Sequence, residues 1–147
     1  MKLEGRATLP GTREQVWEIF TDPARLAKIL PGCESLEEES LGRYRVAVKF
    51  GIAAISGKYA GTISLLDEKK PESLRMKIES KGSAGFVTGS GQIELHEKAG
   101  STEVHYSGEA VVGGLIASVG QRMIEAAAKT IVQQVFASAA SQITSTE

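Results

Sequence analysis

The stretch Val87–Val112, VTGSGQIELHEKAGSTEVHYSGEAVV, alternates in polarity on both sides of a reversal at Lys98–Ser101. A period of two broken by a glycine-containing turn is the pattern of a half-buried β-hairpin. Requiring paired residues to share a face sets Leu95 opposite Val104; Ile93 then meets Tyr106, Gly91 meets Gly108 and Gly89 meets Ala110. One face is apolar, but its middle is bare, because glycine and alanine stand where core side chains belong. Such a strip implies either very close packing by another element, with bending of the sheet, or space for an occupant.

Working outward, the same rule registers two more joins. Pairing Leu65 with Leu74 across Asp67–Glu72 brings Ile63 to Met76 and Gly61 to Ile78. A turn around Lys81–Ala84 brings Ile78 to Val87 and Met76 to Gly89. Tyr44, Val46, Val48 and Phe50 form a further alternating run, with the register through 51–57 left open. Upstream, Lys2–Leu9 alternates as a first strand and stops at Pro10-Gly11. Thr12 with Gln15 three residues on is a capping box for a helix whose apolar face is Val16, Trp17, Ile19 and Phe20. Asp22-Pro23 opens a second short helix carrying Leu26, Ile29 and Leu30, ended by Pro31-Gly32.

After Gly113-Gly114 the period becomes helical for up to ~30 residues, roughly 45 Å at the rise of an α-helix. Ile116, Val119, Met123, Ala127 and Thr130 make its inward stripe, with Gly120 and Ile131 beside them; Gln121, Arg122, Glu125 and Lys129 face away. From Ser138 the pattern weakens and the last residues are expected to fray. The fold class expected is α+β: a curved antiparallel sheet wrapped around a long C-terminal helix, with two short helices after the first strand, as one domain over residues 1–147.

Composition excludes several functions. With 17 basic and 18 acidic residues among 147 the formal net charge is -1, so no field recruits nucleic acid or an anionic membrane. Cys33 is the one cysteine, which rules out an internal disulfide or a multi-thiolate zinc site, and no histidine is placed to make it a nucleophile. No run approaches the ~20 apolar residues that span a bilayer, and the first residues have no apolar secretion signal. A cytoplasmic protein is expected. The glycines of 51–57 and 82–91 match neither phosphate-loop pattern, and Glu37-Glu38-Glu39 reads as a solvated edge.

The inner sheet face holds all 3 tyrosines, Tyr44, Tyr59 and Tyr106, and no ionisable lysine, arginine, carboxylate or histidine. Tyrosines bring apolar bulk and a hydroxyl that seeks a partner, as a site for a mostly apolar ligand with one or two oxygens requires. The candidate ligand-binding residues are Tyr44, Val48, Phe50, Tyr59, Ile63, Met76, Ile78, Gly89, Gly91 and Tyr106 from the sheet, with Gly120, Met123 and Ala127 from the helix. No metal, cofactor or catalytic group is expected there, apart from a bound lipid or quinone. On the outer face, His96 and His105 stand opposite Glu103 and Glu94, where ion pairing is the expected role and a surface metal site the alternative. Val132 and Phe136, spaced i and i+4 on the otherwise polar side of the helix, either pack under another element or make a partner or membrane contact.

The order of elements resembles the helix-grip fold of the START and birch-pollen-allergen superfamily, SRPBCC. Within it, Phe20-Thr21-Asp22-Pro23, Leu30–Leu36, Gly57–Gly61 and Val112–Ile124 resemble the G-subunit family of carbon monoxide dehydrogenase over nearly the whole chain. That resemblance implies an accessory protein for a molybdenum hydroxylase, itself without the molybdenum site, that binds a lipophilic partner such as an isoprenoid quinone. Members also occur beside other hydroxylases and alone. Some relatives carry a membrane-tethering C-terminal extension; here the sequence stops at Glu147, just after the helix, so membrane contact is expected to be at most peripheral and transient, at the inner face. The superfamily also implies rival readings: an enzyme of cyclase or hydrolase type using the same cavity, or a structural adaptor with a filled core.

Overall fold

The computed structural model describes residues 1–51 and 55–145. The elements are β1 (Lys2–Leu9), α1 (Arg13–Thr21), α2 (Pro23–Ile29), β2 (Cys33–Ser40), β3 (Arg43–Phe50), β4 (Gly57–Lys69), β5 (Ser73–Gly82), β6 (Gly85–Lys98), β7 (Ser101–Gly113), a 3-10 turn (Leu115–Val119) and α3 (Gln121–Ser145). The seven strands form one antiparallel sheet in the order β1-β7-β6-β5-β4-β3-β2. Strands β2 to β7 follow one another as hairpins, and β1 closes on β7, the last of them. The sheet curves around α3, as the alternation of its strands and the terminal helix predict.

The caps behave as their chemistry dictates. Thr12 and Gln15 form the reciprocal capping box, and Pro23 begins α2 behind Asp22, whose carboxylate makes no capping hydrogen bond and instead pairs with Arg25. The acidic run lies on edge strand β2, where Glu37 pairs with Arg45 and Glu39 with Arg43. A charged edge discourages a further strand from adding there.

The β6–β7 register is the one derived above, from Leu95 opposite Val104 to Gly89 opposite Ala110. The two preceding joins differ by two residues. Leu65 meets Met76 and Ile63 meets Ile78, because β4 continues through an irregularity between Leu66 and Lys69 to a tight turn at Lys70–Glu72. Asp67 sits there at φ 49, a left-handed conformation that Asp tolerates, and a bulge inserts without ending the strand. In the next join Gly82 pairs with Gly85, so the turn is Ser83-Ala84 and Ile78 meets Gly89 while Met76 meets Gly91. A shift of two leaves every side chain on its expected face. Phe50 pairs with Gly57, while residues 52–54, within the segment whose register was left open, lie outside the described residues.

The helix departs more. Its first residues form the 3-10 turn, and Gly120 at φ 100 breaks it before α3 begins. The 25 residues of α3 span about 37 Å instead of the expected ~45 Å. The inward stripe is rotated by about one residue: Ile124, Ala127, Ala139 and Ile143 are buried, whereas Val119 and Met123 are exposed. Fraying from Ser138 is not seen through Ser145, since Ala139 and Ile143 sit in the main core and Gln142 donates to the Arg25 carbonyl at 2.9 Å. That core joins Leu9, Val16, Trp17, Ile19, Phe20, Leu26 and Ile29 to the inner residues of the sheet and the C-terminal half of α3. Among the described residues, the N-terminal half of α3 covers a second, smaller cluster, Ile55 and Ala127 with Phe50 and Ile131.

Candidate functional site: an apolar cavity under the helix

Successive rows across the inner face explain where space opens. One row reads Leu3, Gly108, Gly91, Met76 from β1 to β5; the next reads Ala110, Gly89, Ile78; a third reads Gly5, Tyr106, Ile93, Leu74. In the first two rows side chains of normal size flank β6 and β7, while those two strands contribute only glycine and alanine. The result is a cavity of about 200 Å³ floored by Gly89, Gly91, Gly108 and Ala110, walled by Leu3, Met76, Ile78, Ile93 and Tyr106, and bordered from the helix by Val132. Its accessible wall is almost wholly apolar. Glu109 is the one ionisable residue bordering it; strand alternation sends its side chain outward, and it is exposed.

The backbone itself favours the bare floor. A Cβ on Gly108 would stand 2.6 Å from the Ser90 carbonyl oxygen, and one on Gly91 3.0 Å from the Ser107 carbonyl. At Gly89 the nearest atom would be 3.1 Å away. Tyr106 leans over Gly5, where a Cβ would meet its hydroxyl at 2.5 Å, and its ring packs 5.3 Å from that of Phe136. Phe136 also lies 6.2 Å from Phe20. Phe136 is therefore packed inside, and the outer Val132/Phe136 patch allowed by the helical pattern does not form; the rotated stripe turns both residues toward the sheet.

Of the candidate residues, Met76, Ile78, Gly89, Gly91 and Tyr106 line the cavity together. Tyr44 and Ile63, cross-strand neighbours, are buried in the main core, with Val48 packed against it. Phe50 and Ala127 belong to the small cluster under the helix start. Gly120 and Met123 are not brought to the cavity: they lie on the surface of the protein, because the break at Gly120 resets the helix phase. Leu3, Ile93, Gly108, Ala110 and Val132 were not among the candidates. The β6–β7 register already placed Ile93, Gly108 and Ala110 on the inner face, whereas Leu3 needed the closure of β1 on β7.

Tyr59 is 3% exposed, its ring 5.6 Å from that of Phe50, and its hydroxyl has no hydrogen-bond partner, which is true of no other buried side-chain oxygen or nitrogen among the described residues. Burial raises its pKa. Tyr44 is also raised, first by burial and then by the charges of Glu38, Glu68 and Asp22. Both are therefore neutral hydroxyls at physiological pH, able to donate. Cys33 is raised by burial as well, which makes its thiol a weak nucleophile.

A curved antiparallel sheet gripping a C-terminal helix, with an apolar cavity between them, defines the START-like helix-grip class. Two solved structures share this fold at low identity. A START superfamily protein from Mycobacterium smegmatis superposes with a TM-score of 0.80 at 9% identity over 99% of both chains. The Zhui aromatase/cyclase from Streptomyces sp. R1128 does so at 0.72 and 17%, over 97% of this chain and 92% of that one. Much nearer is a conserved protein from Geobacillus kaustophilus, with a TM-score of 0.95 and 34% identity over 99% of this chain and 96% of that one. No curated protein matches in sequence. The sequence profile of CoxG, the G-subunit of carbon monoxide dehydrogenase, matches residues 5–144, and the chain belongs to that family. No helix among the described residues is long and apolar enough to cross a membrane.

Proposed function

We propose that this chain binds and carries a lipophilic small molecule without transforming it, and that the molecule is an isoprenoid quinone or a lipid of similar chemistry. The single observation that carries the reading is the cavity of about 200 Å³ on the glycine floor of β6 and β7, whose wall is apolar. The cavity opens to solvent, and a concave apolar surface left uncovered in this way is the form a binding groove takes. Its size is below the ~300–1,000 Å³ of sites that enclose a drug-sized molecule. A single substituted ring or a short branched chain fits inside, and the remainder of a longer ligand extends through the open side. Tyr59, whose hydroxyl is buried without a partner among the described residues, lies outside the cavity lining, beside Phe50; an acceptor oxygen such as a quinone carbonyl would meet it only where a longer ligand extends from the cavity toward the helix start.

The enzymatic alternative needs a proton-transfer pair facing the ligand. Glu109, which borders the cavity, and Arg122, at the helix start, are both exposed. The adaptor alternative needs a filled core and an outward contact at Val132 and Phe136; instead the core has a cavity, and Phe136 packs on Phe20 and Tyr106. In keeping with the family, we propose a molybdenum hydroxylase as the partner that receives or supplies the ligand.

The test is native mass spectrometry of the purified chain with ubiquinone and menaquinone of short side chain, fatty acids as comparison, and thermal melts in parallel. Ligand at a hundred times its Kd adds about 2.7 kcal/mol of stability, a clear rise in Tm. If no quinone or lipid is retained and none raises Tm, the carrier reading fails.

A further inference from the structure

We propose that the convex face of the sheet carries a transition-metal site formed by Glu94, His96 and His105, suited to a divalent zinc, nickel or copper ion. The β6–β7 register sets Glu94 opposite His105 and His96 opposite Glu103, and all four point to the outer face, away from the cavity. One ligand atom from each of Glu94, His96 and His105 lies within 4.8 Å of the other two. Bonds of 2.0–2.2 Å place tetrahedral ligands roughly 3.4 Å apart, so closure on an ion needs only small side-chain rotations. There is room for them: the Glu94 and His96 side chains are each 49% exposed and that of His105 30%.

A second observation distinguishes the cluster from an ordinary ion pair. His105 Nε2 lies 2.5 Å from Glu103 Oε1, and the same oxygen is 3.5 Å from Arg6 Nη1. An imidazole whose Nε2–H donates to a fixed carboxylate presents its Nδ1 lone pair outward, the arrangement that orients histidines on metals. The His96 and His105 rings are 4.3 Å apart. Two imidazoles and a carboxylate are a borderline donor set that favours zinc, nickel or copper over magnesium or calcium, which require more oxygens.

The experiment is calorimetric titration of the untagged, chelator-treated chain with zinc chloride and nickel chloride, with the visible spectrum of cobalt(II) as a readout of geometry. One saturable equivalent is expected. His96→Ala or His105→Ala should each weaken binding about tenfold or more and the double variant abolish it, while Glu103→Gln weakens it roughly 10–100-fold with unchanged stoichiometry. Circular dichroism and the metal-free Tm confirm that these exposed substitutions leave the fold intact. Binding that survives the double histidine variant, binding lost on Cys33→Ser, or no saturable heat at all overturns the site.

Discussion

Gly91 and Gly108 stand directly opposite each other in the β6–β7 ladder, between Met76 on one side and Leu3 on the other. Two full-sized side chains therefore flank two absent ones, and the absence creates the cavity floor. The constraint is steric, because a Cβ on Gly108 would come within 2.6 Å of the Ser90 carbonyl oxygen, and the proposed ligand role adds to it.

Gly89 separates these two roles. A Cβ there would sit 3.1 Å from the Glu109 carbonyl oxygen, tight but relieved by a few tenths of an ångström, and the side chain beyond it would enter the cavity. Gly89→Val should fold with Tm near that of the parent and lose ligand binding by about tenfold or more. Gly108→Ala should cost ~1–3 kcal/mol by forcing the two strands apart. Thermal melts with and without a bound quinone check both, and undiminished binding by Gly89→Val would place the ligand elsewhere.

Tyr59 makes the opposite trade. Its hydroxyl is buried without a partner among the described residues, and an unsatisfied group of this kind costs about 1–3 kcal/mol. Tyr59→Phe should thus keep or raise stability in urea unfolding. If the hydroxyl serves a ligand oxygen, the same variant should bind a quinone more weakly while binding a fatty acid hydrocarbon tail as before. Equal loss for both ligands would deny the hydroxyl that role.

How much of this could be read from the sequence follows from what periodicity encodes. Face assignment survived in each strand read from alternation, because a period of two is insensitive to a slip of two, while edge strand β2, charged and without a clear alternation, was not read as a strand; the β6–β7 join was registered correctly because its turn is short and its strands uninterrupted. The Asp67 irregularity moved Met76 and Ile78 onto Leu65 and Ile63, the Ser83-Ala84 turn moved them onto Gly91 and Gly89, and no alternation pattern records a bulge. Leu3 was hidden because contact between the first strand and the last is a property of topology. The helix phase was lost at Gly120: carrying the stripe from Ile116 straight through placed Met123 inward and Phe136 outward, whereas the chain restarts its helix at Gln121. Ala139 and Ile143 were missed for a compositional reason, since a helix end rich in alanine, serine and threonine shows little amphipathic contrast even when fully covered.

That helix end supplies a stability prediction. Ile143 is 2% exposed, in the same core as Leu9, Trp17 and Leu26. Ile143→Ala should lose about 2–5 kcal/mol, the cost of deleting a buried aliphatic side chain and leaving a cavity. Met123→Ala, on the exposed helix start, should change stability by less than ~0.5 kcal/mol. Similar small losses for both would mean that the last turns of α3 are not held down.

Alkaline pH tests the buried tyrosines together. Burial raises Tyr59, and burial with the charges of Glu38, Glu68 and Asp22 raises Tyr44, above the ordinary value near 10. A group that holds its proton more tightly when folded contributes stability that is complete below the unfolded pKa. Above that value the unfolded chain ionises first, and stability falls as pH rises through the folded values, by at most about 1.4 kcal/mol per pH unit for each group. Unfolding free energy measured from about pH 8 to about 11 should therefore decline more steeply in the parent than in Tyr59→Phe, with the two converging in slope below the ordinary tyrosine pKa. Parallel curves throughout would mean that Tyr59 ionises as readily in the folded protein as in the unfolded chain, and its hydroxyl would then be open to water instead of reserved for a ligand.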